Sequence, residues 1–144
     1  MDYAGLANEL LNGMQSLHKA KPQKNINEAM QGEVFVLKYI SDHNGDVLPG
    51  EIGQEMDVSS ARIAAALNSL EKKGLITRQI DTSDRRKILV GITQQGKELA
   101  EEHKQTILGI TAKMLELLGE HDAKEYVRIT KKLAEILPKF KEYV

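Results

Sequence analysis

Three consecutive cations, Arg85, Arg86 and Lys87, follow directly on Asp84 and form the most reactive-looking cluster in the chain. Guanidinium and ammonium groups in a row suit phosphate oxygens, and a neighbouring carboxylate can orient one guanidinium through a charge-assisted bond. A second set lies upstream, where Ser59, Ser60 and Arg62 are followed by Asn68, Ser69 and Lys72. Donors of these types fit phosphates and the base edges of a nucleic acid. Covalent catalysis has no comparable support. The chain has no Gly-x-Ser-x-Gly, phosphate loop, dinucleotide fingerprint or cysteine, so neither an enzyme nor a cofactor is expected. The four histidines, His18, His43, His103 and His121, fall in different predicted elements without the short spacing of a metal site. No metal ligand is therefore assigned.

At 144 residues the chain has the length of one ordinary domain. Hydrophobic residues at 41% and charged residues at 28% indicate a globular protein. No apolar run is long enough to span a bilayer, and the first residues, with Asp2 and Glu9, lack the pattern of a signal peptide, so a cytoplasmic location is expected. The absence of cysteine excludes disulfides, thiolate metal sites and thiol-based redox sensing. Net charge is only −1, but it is unevenly spread. From Ser59 to Lys97 eight cations face three acids, which leaves +5 there and −6 on the flanks. Phosphate neutralisation is local, so a basic centre between acidic arms suits a DNA reader whose arms serve another purpose.

The elements that must hold these residues are mostly helical. Leu6, Leu10, Met14 and Leu17 form one stripe and predict a first helix from Tyr3 to Lys19, with Pro22 just past its end. Lys21 to Asn27 is polar and reads as a loop. A second helix carries Val34, Leu37 and Ile40 inward, with Phe35 and Tyr39 beside them, and stops at the Asn44-Gly45 turn. Val47-Leu48 is at most an edge strand. Pro49 suits the first turn of a third helix ending near Met56. Asp57-Val58-Ser59 makes a tight turn, and Ser59 is placed to cap a fourth helix. In that helix Ile63, Leu67 and Leu70 face inward, while Ala61, Arg62, Ala65, Asn68, Ser69 and Lys72 face outward. Gly74 ends it. Leu75 to Ile80 and Arg85 to Ile92 then flank a turn cluster, Asp81 to Asp84, as a hairpin or wing. Thr93 is a candidate N-cap for a fifth helix reaching Leu118, which at about 1.5 Å per residue is roughly 38 Å long. After Gly119, a sixth helix places Tyr126, Ile129, Leu133, Ile136 and Leu137 on one apolar side and ends or kinks at Pro138. The first, fifth and sixth helices each carry an apolar face without a place in the small central lobe, and pairing across a two-fold axis would bury all three.

Four segments occur in family order and together resemble the MarR family of winged helix-turn-helix transcription regulators. They are Asp57-Val58-Ser59, Leu70 to Ile76, Asp81 to Arg86, and Ile92 to Lys97. The resemblance implies a mainly α fold with a small β-hairpin wing. Residues 1–144 would form one domain, with a winged helix-turn-helix lobe over 30–97 and a helical dimerisation region over 1–20 and 98–144. It implies that the fourth helix enters the major groove of double-stranded DNA, and that Arg86, held by Asp84, enters the minor groove. One departure stands out: the family often carries Thr-Arg where this chain has Ala64-Ala65. Base reading would then rest on Ser59, Ser60 and Arg62, helped by Asn68 or Ser69, with Lys72, Arg85 and Lys87 adding charge.

The expected function is a repressor acting as a homodimer on a pseudo-palindromic operator. A small-molecule effector is expected near Leu17, Phe35, Tyr39 and Ile107, where the first, second and fifth helices should meet. The alternatives are a winged-helix module for protein interaction and a metal-responsive regulator.

Overall fold

A computed structural model describes residues 1–143, without the side chains of residue 31 and residues 141–143. Among the described residues seven α-helices and one β-hairpin follow in order: α1 (Tyr3–Lys19), α2 (Lys21–Gln31), α3 (Glu33–Asp42), α4 (Pro49–Met56), α5 (Ser60–Lys72), β1 (Ile76–Ile80), β2 (Ile88–Ile92), α6 (Gln94–Leu118) and α7 (Glu120–Ile136). A 3₁₀ segment, Leu137–Tyr143, follows α7. The mainly α class with a two-stranded antiparallel wing is as expected from the sequence.

Lys21 to Asn27 is not a loop, and this expectation is corrected. Only Ala20, extended at φ −69° and ψ 130°, separates α1 from α2. Pro22 sits in the first turn of α2, where a missing N–H does no harm, and the Gln23 amide donates to Asn27 Oδ1 at 3.0 Å one turn later. The polar side chains that suggest a loop lie on a helix. The wing is also longer at its tip than expected. β2 begins at Ile88, so Arg85, Arg86 and Lys87 belong to the loop rather than the strand.

The backbone divides into two compact units, 1–107 and 108–144. The first has a single apolar core with no buried polar residue among those described. Val36, Leu37 and Ile40 from α3, Ile52 from α4, and Ile63, Leu67 and Leu70 from α5 meet Val47, Leu75, Ile76, Val90 and Ala100. Burial of that many branched side chains, each contributing roughly 1.5–3 kcal/mol, fixes the three helices against the hairpin. Val47 forms an antiparallel bridge with Val90, its N–H donating at 3.1 Å and its carbonyl accepting at 2.8 Å, and this seats β2 on the α3–α4 connection.

The start of α6 is closely fitted. The Thr93 hydroxyl accepts from the Gly96 N–H at 3.0 Å, which confirms its capping role, and lies 2.8 Å from the Gly74 carbonyl and 3.0 Å from that of Leu75. A Cβ on Gly96 would collide with the Leu75 carbonyl oxygen, so only glycine allows this approach.

Helix α1 has no buried residue and exposes Leu6, Leu10, Leu11, Met14 and Leu17. In the second unit, α7 likewise has none, and Tyr126, Ile129, Leu133 and Ile136 are exposed.

Candidate nucleic-acid interface

Helices α4 and α5 form a helix-turn-helix whose turn is set by two residues. Asp57 adopts a left-handed conformation (φ 53°, ψ 49°) to end α4, and the Ser59 hydroxyl accepts from the Arg62 backbone N–H at 3.3 Å to begin α5. An aspartate tolerates φ > 0 better than most residues, and serine is a favoured N-cap. At the other end, Gly74 (φ 75°) lets the Leu75 N–H reach the Leu70 carbonyl at 3.0 Å and its own N–H reach Glu71 at 2.9 Å. These two bonds make a Schellman closure, with Leu70 and Leu75 both packed in the core. Helix α5 is thus fixed at both ends.

Its buried face is the expected one, Ile63, Leu67 and Leu70. Ser59, Ser60, Ala61, Arg62, Ala64, Ala65, Asn68 and Lys72 are exposed. Ser69 is half-buried, and its hydroxyl hydrogen-bonds to Glu33 at the start of α3. Lys73 Nζ meets Glu33 Oε2 at 2.8 Å. The Lys73 and Ser69 bonds hold the Glu33 carboxyl below its ordinary pKa, against the opposing effect of burial. This tie between α3 and α5 was not anticipated, because its partners are 40 residues apart and no local pattern links them.

In the wing, Ile76 pairs with Ile92 and Ile80 with Ile88, which leaves residues 81–87 as the loop. Three backbone and side-chain features shape it. Asp81 Oδ1 accepts from the Ser83 N–H at 2.9 Å and the Ser83 hydroxyl at 2.8 Å, and these bonds lower the Asp81 pKa. The Asp81 N–H donates to the Lys87 carbonyl at 2.9 Å, and the Lys87 N–H to that of Asp84 at 3.0 Å. Asp84 then grips Arg86, whose side chain is 91% exposed while that of Asp84 is 28% exposed. The carboxylate holds the base of the guanidinium while its far edge projects into solvent. Among the described residues Arg62, Lys72, Arg85 and Lys87 enter no salt bridge, although the charge of Lys87 is felt by the nearby Asp81 carboxylate.

By contrast, Arg78 is engaged internally. Its Nη2 lies 2.9 Å from Glu71 Oε1, a bond that lowers the Glu71 pKa and raises that of Arg78. It borders a cleft of about 500 Å³ between α4, α5 and the hairpin, lined also by Pro49, Val58, Ala64, Leu67 and Ile88.

Of the four residues expected to bind an effector, Phe35 and Tyr39 line a common hollow of about 260 Å³ with Lys38, Asp42, His43 and Glu55. Leu17 and Ile107 are not part of that lining. Tyr39 stacks on His43 with ring centroids 4.0 Å apart, and burial raises its phenol pKa, helped by Glu51 and Glu55. No cluster of three or more metal-ligating residues occurs among the described residues. Among the described residues no helix is long and apolar enough to cross a membrane.

Residues 30–87 match the description of the MarR family. The chain is 33% identical over 103 residues to the HTH-type transcriptional repressor MdtR of Bacillus subtilis (strain 168), covering 72% of this chain and 66% of MdtR, just under two thirds of that protein. Its fold is similar to the crystal structure of YusO from Bacillus subtilis, with a TM-score of 0.70 and 28% identity over 94% of this chain and 99% of that one. It is also similar to Streptococcus pneumoniae FabT, solved in complex with DNA, with a TM-score of 0.71 and 20% identity over 96% and 99% of the two chains.

Proposed function

This chain belongs to the MarR family of winged helix-turn-helix transcription regulators, which are not enzymes, and from that premise we propose that it is a transcriptional repressor that binds a pseudo-palindromic operator in double-stranded DNA as a homodimer. Each protomer presents α5 to the major groove and the 81–87 loop to the adjacent minor groove. The observation that carries this reading is the pairing, within one lobe, of a doubly capped helix exposing Ser60, Arg62, Asn68 and Lys72 with a wing whose Arg86 is gripped by Asp84. A preorganised cation on the wing together with cations on a separate helix suits a curved polyanion better than a protein surface. A narrow A·T-rich minor groove concentrates negative potential and would draw in the projecting guanidinium.

A second copy would cover the apolar faces of α1 and α7, which the described residues leave open. Two-fold symmetry then requires an inverted repeat, with half-sites about one helical turn, roughly 34 Å, apart. A small molecule bound in the hollow at Phe35 and Tyr39, with Leu17 and Ile107 outside its lining, would release the operator by changing the separation of the two α5 helices, since such spacing tolerates little error.

Selection of bound fragments from random or genomic DNA tests the reading. An inverted repeat among the recovered sequences supports it. Recovery of no preferred duplex at low ionic strength would refute it.

A further inference from the structure

We infer that Ala61 and Ala65 are specificity-determining residues that read the C5-methyl groups of thymines in the major groove, an inference that rests on the DNA-binding reading above. The core contacts of α5 run through Ile63, Leu67 and Leu70, so the positions diametrically across the helix are Ala61 and Ala65, continued by Asn68 and Lys72. Ala61 and Ala65 are both exposed. The centre of the outward face, over the two N-terminal turns that enter the groove, therefore carries methyl groups and no hydrogen-bonding side chain.

The longer groups sit to either side. Arg62 lies on the flank nearest α3, beside a hollow of about 250 Å³ that also involves Gly32, Met56 and Ala65. Ala64 lies on the flank nearest the wing, at the edge of the cleft bordered by Arg78 and Ile88. The outward centre is thus small enough for the backbone of α5 to approach the base pairs closely, and its chemistry is apolar. Of the four bases only thymine offers an apolar group in the major groove. Asn68, one turn further on and exposed, has the amide geometry that pairs with adenine N6 and N7. The wing independently favours the same composition, because the Arg86 guanidinium projecting from its Asp84 clamp suits a narrow A·T minor groove. Methyl, amide and guanidinium together point to half-sites whose central pairs are adenine and thymine.

The test uses the full-length protein and the tightest duplex recovered by selection from random DNA. Each thymine is replaced singly by deoxyuridine, which removes one methyl and leaves base pairing intact. At one or two positions per half-site Kd should rise about 3–5-fold, the effect of removing one buried methyl from water-excluded contact, and at other thymines it should not change. Ala65→Gly, or Ala61→Gly for the partner position, should erase the difference between thymine and uracil there. Ala65→Ser, which keeps a Cβ, guards against a loosened helix in the glycine variant. Indifference to uracil at every thymine overturns the inference while leaving DNA binding intact, and so does full thymine preference in both glycine variants. If no duplex is recovered at all, the DNA-binding reading fails and this inference fails with it.

Discussion

Asp84 holds Arg86 by both its carboxylate oxygens: Oδ1 accepts from the Arg86 backbone N–H and from Nε, each at 3.1 Å, and Oδ2 faces Nη2 at 3.4 Å. The backbone bond fixes the turn and the side-chain bonds fix the direction of the guanidinium. One carboxylate thus shapes the loop and aims the cation.

Replacing Arg86 with Ala should weaken duplex binding and reduce the dependence of log K on log salt by about one unit per lost phosphate contact. The side chain is exposed, so the thermal midpoint should stay close to that of the parent. Fluorescence anisotropy at several salt concentrations measures both quantities. An unchanged affinity and slope would remove the wing from the interface. Asp84→Asn should give a smaller loss, since the cation remains and the amide oxygen can still accept the Arg86 backbone bond that shapes the loop, while the charged grip on the guanidinium is lost.

Gly96→Ala should be strongly destabilising. The added methyl meets the Leu75 carbonyl oxygen and the Ile92 side chain, and backbone cannot move aside as a flexible side chain can. Overpacking of this kind costs about 1–3 kcal/mol or more. Urea unfolding followed by circular dichroism would register it as a lowered midpoint at constant slope. A wild-type midpoint would show that α6 can shift away from Leu75 and Ile92.

Asp57→Ala should destabilise by about 1 kcal/mol, because alanine disfavours the left-handed conformation that ends α4. Asp57→Gly should not destabilise, since glycine adopts φ > 0 freely. The side chain is exposed, so little packing is lost in either variant. Equal losses in both would place the contribution of Asp57 in its carboxylate rather than in its backbone.

Glu33 gives the stability a small acid limb. Its carboxyl is held below the ordinary value of 4.5 by Lys73 and Ser69, so the folded state favours the ionised form more than the unfolded chain does. That contribution is complete above 4.5 and fades as pH falls below it, through the depressed folded pKa. Both partners are over a third exposed, so solvent screening limits the contribution to at most about 1 kcal/mol. Glu33→Gln should lower stability at neutral pH and flatten the decline below 4.5. Parallel acid limbs for the two proteins in pH-dependent urea titrations would contradict the assignment.

Much of this architecture is legible in the residues themselves. Ser59, Thr93 and Gly74 announce helix ends because capping depends on one side chain or one dihedral. The stripe of Ile63, Leu67 and Leu70 gives the orientation of α5, and with it the set of residues that are exposed. Helix α2 is hidden because it begins one residue after α1 and its first turn is polar apart from Pro22, so that its short apolar stripe, Ile26, Ala29 and Met30, comes only in its second half. The Glu33 tie to Lys73 and Ser69 is hidden for another reason: it depends on how α3 and α5 pack, and that geometry is absent from local pattern. Ser69 consequently reads as outward from its spacing, although its hydroxyl is turned to α3. The cleft beside Arg78 is likewise a product of three elements meeting, and no single segment carries its signature.

The exposed leucines of α1 and α7 offer apolar faces that the proposed dimer would bury. Leu10→Glu and Leu133→Glu each place a charge in a face otherwise suited to burial. Either should shift the protein towards the monomer and weaken binding to an inverted repeat far more than binding to an isolated half-site. Light scattering and anisotropy on the two duplexes separate these effects. Retained dimerisation in both variants would locate the interface elsewhere.

The most direct test is the mass of the complex between the wild-type chain and the inverted-repeat duplex recovered by selection, measured by sedimentation equilibrium over a range of salt. The account requires two chains per duplex, joined already in the absence of DNA, with the complex dissociating as salt rises. A protein that sediments as a single chain and binds no duplex even at low ionic strength would contradict it.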